Sequence, residues 1–156
     1  MHLLTHVTFT APEFDPQTEP KPPGDEPAPD PGEPTPRGRE MAHLVERGLA
    51  AQGWEVLNRW TTPYGHAFDC KRTDRRYDVE VQLVDVEAAR WLVSAVARRG
   101  LLRRMLGSEN SEEHALLLTH LRGVLAGDAR LQEPRWFDEA GWNAPHRGPG
   151  DALPVA

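Results

Sequence analysis

The chain of 156 residues has one cysteine, Cys70, so it contains neither an internal disulfide nor a CxxC pair able to grip a structural metal. Nowhere do about 18 apolar residues run together, which argues against a membrane-spanning helix. The opening MHLLTHVTFTAPEF has no basic start and no apolar run of secretion-signal length. A protein of a reducing bacterial cytoplasm, with no membrane partner, is the expectation. Glycine-rich phosphate loops, nucleophile elbows and internal repeats are missing as well. Lysine is scarce, with Lys21 and Lys71 the only two among 18 cations, and this arginine bias reflects genome composition more often than function.

Charge is unevenly distributed. The net charge of −6 belongs entirely to residues 1–35, where seven acids face Lys21 alone; the remaining 121 residues balance 17 cations against 17 acids. A neutral body has no global field to recruit nucleic acid. From Ala11 to Pro36, ten of the fifteen prolines mix with acids and glycines, a composition that cannot bury apolar surface and favours extended backbone. Residues 1–35 therefore read as an acidic arm, with Leu3, Thr5, Val7 and Phe9 alternating as a short strand that could dock on a sheet edge. Residues 143–156 read as a disordered Pro/Gly tail, which leaves residues 36–142 as a single domain.

Within that domain, Thr35-Pro36 reads as a helix start followed by the stripe Met41, Leu44, Val45 and Leu49, with Gly53 as the stop. Strands are expected at Trp54–Trp60, Gly65–Lys71 and Arg76–Val84. Residues 87–98 fit either a strand, through Trp91, Val93, Ala95 and Ala97, or a helical face, and strand is preferred because it continues the meander. A second helix opens at Ser111-Glu112-Glu113, buries Leu117, Leu121, Val124 and Leu125, and stops at Gly127. Leu131 to Phe137 can add a last short strand. The fold class is α+β, a mostly antiparallel sheet of four to five strands with two main helices packed on one face.

The segment Trp54 to Leu83 carries the most chemistry. With Arg72-Thr73-Asp74-Arg75 as the turn, His66, Phe68, Cys70, Tyr77, Val79, Val81 and Leu83 share an apolar face, while Asp69, Asp78 and Glu80 share the other. Asp69 then stands opposite Asp78 with Glu80 diagonal to it. Like charges across a strand pair repel, so the cluster implies a bound cation, or ion pairing with Lys71 and Arg76 on a face turned to water.

These residues resemble one piece of the PD-(D/E)XK nuclease superfamily over about residues 36–83. The resemblance implies a helix leading into a meander, with Asp69 and Glu80 as ligands of Mg²⁺ or Mn²⁺, Gln82 standing where the family has lysine, and Glu40 or Glu46 as the acid of the leading helix. Gln82 can orient water but cannot supply the missing positive charge. The hairpin is also apolar on one face only, whereas the family's sheet is packed on both.

The histidines make no metal set: His114 and His120 fall on different faces of one helix, and His66 beside Cys70 lacks an orienting third group. Arginines alternate with apolar residues through Arg98, Arg99, Leu101, Leu102, Arg103, Arg104 and Met105, an amphipathic stretch suited to a protein contact. Five tryptophans are many for this length, and any left exposed would mark a contact surface. By elimination, the sequence points to a non-catalytic protein-binding module without cofactor, adaptor- or immunity-like. The alternative is a divalent-metal nuclease or an inactive relative.

Overall fold

The computed structural model of the chain describes residues 3–14, 38–98 and 112–151. One antiparallel sheet of six strands is built from β1 (His6–Thr10), β2 (Glu55–Thr62), β3 (Gly65–Lys71), β4 (Arg76–Asp85), β5 (Arg90–Ala97) and β6 (Gln132–Phe137). Three helices accompany it among the described residues: α1 (Arg39–Ala51), α2 (Glu112–Ala126) and the short α3 (Glu139–Asn143). The fold is α+β, as the alternation of strand and helix periods implies.

The order across the sheet is β2-β3-β4-β5-β1-β6. Strands β2 to β5 form the expected meander. The β3–β4 register pairs Asp69 with Asp78 and Cys70 with Tyr77, which is the register set by the turn Arg72–Arg75. Residues 87–98 resolve as turn and strand. Asp85 Oδ1 accepts the N–H of Ala88 at 3.0 Å, and Ala89 takes a left-handed φ of 48°, so the chain reverses before Arg90.

Two expectations are corrected. Strand β1 does not dock on an edge but lies inside the sheet, pairing with β5 on one side (His6 with Ser94, Thr10 with Arg90) and with β6 on the other. The free edge of β5 accepts β1, and β6 then covers β1, which raises the strand count from the expected four or five to six. Helix α1 begins at Arg39 rather than at Thr35-Pro36, because Gly38 holds φ 104° and breaks the helical path there. Thr35 and Pro36 themselves lie outside the described residues. Beyond Asn143, in the stretch read as a Pro/Gly tail, Asp151 exchanges both backbone hydrogen bonds with Trp136, at 2.9 and 3.0 Å.

Helices α1 and α2 share the inner face of the sheet. Met41, Ala42, Val45 and Leu49 of α1, with Leu117, Leu118, Leu121 and Leu125 of α2, are buried with Val7, Phe9, Phe68, Cys70, Tyr77, Val79, Val81, Trp91 and Val93 in one core. Val124 and Leu44, expected in the buried rows, are only partly covered. Two polar contacts join the layers: Trp54 Nε1 donates to His120 Nδ1 at 3.0 Å, and His114 Nε2 donates to Ala95 O at 2.9 Å. The α2 histidines thus pin that helix to the sheet.

Gly65, at the start of β3, admits no side chain, because a Cβ there would stand 1.9 Å from the Val81 carbonyl oxygen. Gly65→Ala is expected to destabilise the fold by about 3 kcal/mol through a forced shift of β3 against β4; urea unfolding measures it.

Candidate functional site

The face of the sheet away from α1 and α2 carries the candidate residues. Cross-strand register sets Trp60, Ala67, Glu80, Ser94, His6 and Phe137 in one row over all six strands, with Asn58, Asp69, Asp78 and Val96 in the next. The sequence-expected acids Asp69, Asp78 and Glu80 do come together here.

Their environment differs from the water-facing cluster expected. Asp69 is fully buried. The Asn58 backbone N–H donates to Asp69 Oδ1 at 2.7 Å, and the Asn58 amide reaches both carboxylate oxygens at 3.1 and 3.2 Å. Arg98 Nη1 lies 3.2 Å from Asp69 Oδ2, and Arg76 Nη1 lies 3.7 Å from the same atom. Arg98 also brings Nη2 within 2.9 Å of Asp78 Oδ1, an ion pair not aligned as a hydrogen bond. The repulsion between Asp69 and Asp78 is therefore neutralised from within the protein, mainly by Arg98. Lys71, expected to help, pairs with Glu55 at 3.7 Å.

The partners that matter most were hidden in the sequence. Asn58 meets Asp69 because the β2–β3 register slips between Val56 and Asn58, and such a bulge re-aims a backbone N–H without a composition signal. Arg98 was visible only as the first residue of a basic stretch. Arg99, Leu101, Leu102, Arg103, Arg104 and Met105 lie outside the described residues.

The remaining nuclease-like positions do not assemble around Asp69. Gln82 Nε2 donates to Glu80 Oε2 at 2.9 Å. Glu46 is tied to Arg59 by hydrogen bonds of 2.9 and 3.0 Å, and Arg59 stands opposite Phe68 on the core side. Glu40 lies 3.8 Å from Arg130. Both helical acids thus belong to the layer across the sheet from Asp69 and Glu80. As arranged, these residues do not fit Mg²⁺ or Mn²⁺, since Asp69 is taken up by an amide, a backbone N–H and two guanidinium groups, and no helical acid reaches it.

Cys70 is buried on the opposite face, among core residues. Burial pushes its thiol up to about 12, and the carboxylates of Asp69, Asp78 and Glu113 add to the effect. It is held as an inert thiol. Burial also lowers His114 below the usual imidazole value, against the raising effect of its bond to Ala95.

The five tryptophans divide by face. Trp54, Trp91 and Trp136 are buried. Trp60 and Trp142 are half-exposed at opposite ends of the outer face. Arg98 Cζ stands 5.7 Å above the Trp60 ring, and Trp142 stacks on His6 with ring centroids 5.4 Å apart.

The chain matches no protein-family model, no curated protein and no solved structure. Function is therefore read from the site itself.

Asp69→Ala is expected to cost about 2–4 kcal/mol, because it strands the Asn58 N–H and frees the charge on Arg98, whereas Asp78→Ala should change stability by less than about 1 kcal/mol. Urea unfolding of both variants measures the contrast, and an Asp69→Ala protein more stable than wild type would reveal a carboxylate kept for chemistry instead. For Cys70, the unfolded thiol ionises near its ordinary value of 9.0 while the folded one keeps its proton to about 12. The stability contributed by the protonated thiol is complete below pH 9 and is lost as pH rises through that window, at up to about 1.4 kcal/mol per pH unit. Cys70→Ala should remove this slope in unfolding curves recorded between pH 8 and 11.

Proposed function

We propose that this chain is a non-catalytic, cytoplasmic protein-binding module, adaptor- or immunity-like, whose contact surface is the β2–β5 part of the outer face. The observation that carries this reading is the pairing of half-exposed Trp60 with Arg98 beside the half-exposed Val96, on the face of the sheet opposite α1 and α2. Aromatic and arginine side chains over an apolar patch, with Glu80 and Gln82 as polar neighbours, have the composition of a binding hot spot. The basic, apolar stretch Arg99 to Met105 follows directly in sequence from Arg98. Supporting the same reading, the acids that would serve catalysis are engaged by partners within the protein. Among the described residues no helix is long and apolar enough to cross a membrane.

The alternative, a metal-dependent nuclease of the PD-(D/E)XK type, draws on the adjacency of Asp69, Asp78 and Glu80. It would need Asn58 and Arg98 to release Asp69 before a cation could bind.

A photo-crosslinking residue placed at position 60 or 96 of the full chain, in the cells of origin, is expected to give one discrete protein adduct. The same residue at position 87, on the exposed β4–β5 turn, should give none, and Val96→Asp should abolish the adduct at position 60. Adducts independent of position would overturn the proposed contact surface, and saturable Mn²⁺ binding in calorimetry that Glu80→Ala removes would overturn the proposal in favour of the nuclease reading.

A further inference from the structure

At the other end of the outer face, where β1, β5 and β6 meet, lies a groove of about 340 Å³. Its floor follows from the register. Thr10 of β1 stands opposite Arg90 of β5, and Thr8 stands opposite Arg135 of β6, so alternation sends all four side chains to the outer face. The β1–β6 pairing slips between Thr8 and Thr10, where Glu133 takes a left-handed φ of 52°; such a bulge re-aims the side chains around it. Arg147 closes the groove from the chain beyond α3. It is positioned by a 3.1 Å hydrogen bond from Nε to Trp142 O and by its Cζ lying 3.5 Å from the Trp142 ring centroid.

From this geometry we infer that the groove binds a small dianionic ligand of the phosphate-ester class, held by Arg90, Arg135 and Arg147. The charge balance points there first. Three guanidinium groups and one carboxylate, Glu133, line the cavity, an excess of two positive charges. Arg90 and Arg135 have no hydrogen-bond or ion-pair partner among the described residues, in contrast to Arg59, Arg98 and Arg130, each of which is held by a carboxylate. Like charges around one small space repel, and a dianion relieves that repulsion. A phosphate monoester carries about −1.5 to −2 charges at neutral pH. Guanidinium forks match phosphate oxygens in pairs, and the hydroxyls of Thr8 and Thr10 supply further donors.

Size and surroundings favour a small molecule over a macromolecule. The volume is at the lower end of the range of about 300–1,000 Å³ typical of small-ligand sites. The arginines ring a cavity instead of forming a stripe, and the chain as a whole carries −6, so the electrostatic footprint of nucleic acid binding is missing. Trp142 is already engaged by His6 and Arg147, which removes the aromatic platform that single-stranded bases use. The groove also lies apart from the Trp60 surface: β2 and β1 are four strand spacings apart, roughly 19 Å, and Arg90 and Val96 sit at opposite ends of β5.

Calorimetric titration of phenyl phosphate into the full chain is expected to give saturable one-to-one binding. Arg90→Ala and Arg135→Ala should each weaken it roughly tenfold or more. Arg75→Ala, at the far end of β4, should leave it unchanged. Arg90 and Arg135 are exposed, so the variants should melt at the wild-type temperature when unliganded. The proposal is overturned by the absence of saturable heat up to about 10 mM, by equal weakening in Arg75→Ala, which would mean bulk charge alone, or by tighter binding of a tetraglutamate peptide, which would give the groove to a protein partner.

Discussion

A fully buried carboxylate needs compensation wherever it occurs, and Asp69 imposes that demand on four strands of this sheet. Its oxygens draw the Asn58 backbone N–H inward through a bulge in β2, take the Asn58 amide, and bring Arg76 and Arg98 over from β4 and the end of β5. Each contact fixes a register. The β2–β3 slip is where it is because the N–H that must face Asp69 belongs to Asn58. Arg98 holds the end of β5 down because its guanidinium spans Asp69 and Asp78. The same charge also reaches through the sheet, adding to the burial that keeps the Cys70 thiol protonated.

A carboxylate so engaged holds Asn58 and Arg98 in place. A divalent cation at Asp69 would have to displace a backbone N–H, an amide and guanidinium groups, contacts that the fold relies on. The helical acids cannot assist, because α1 approaches from the core side, where Glu46 holds Arg59. Through Arg98, the cluster of Asp69 and Asp78 ties the end of β5 to β3 and β4.

What could be read from the sequence depended on the range of the interaction. Period-two alternation around Arg72–Arg75 determines both faces and the register of β3 and β4, and the structure reproduces Asp69 opposite Asp78. The stripe of α1 and the end of α2 are equally local and were equally visible. Strand β1 was legible as a strand but not as an interior one, because alternation over five residues assigns faces and says nothing about neighbours. Asn58 was illegible for a related reason: it reaches Asp69 only after a one-residue slip, and regular alternation cannot register a slip. Arg90 and Arg135 lie far apart in sequence and meet only because β1 is inserted between β5 and β6.

That insertion also explains why the outer face has two characters. The meander β2 to β5 is built from one continuous stretch, and its outer surface gathers Trp60, Val96 and the neutralised acids, a composition suited to a broad contact. Strands β1 and β6 come from the two ends of the domain, and beside the joint between them lie a bulge, arginines without an ion-pair partner among the described residues, and a concave surface. Because the core beneath both halves is a single cluster on the inner face, substitutions of exposed residues in either outer region can leave the packing of α1 and α2 intact.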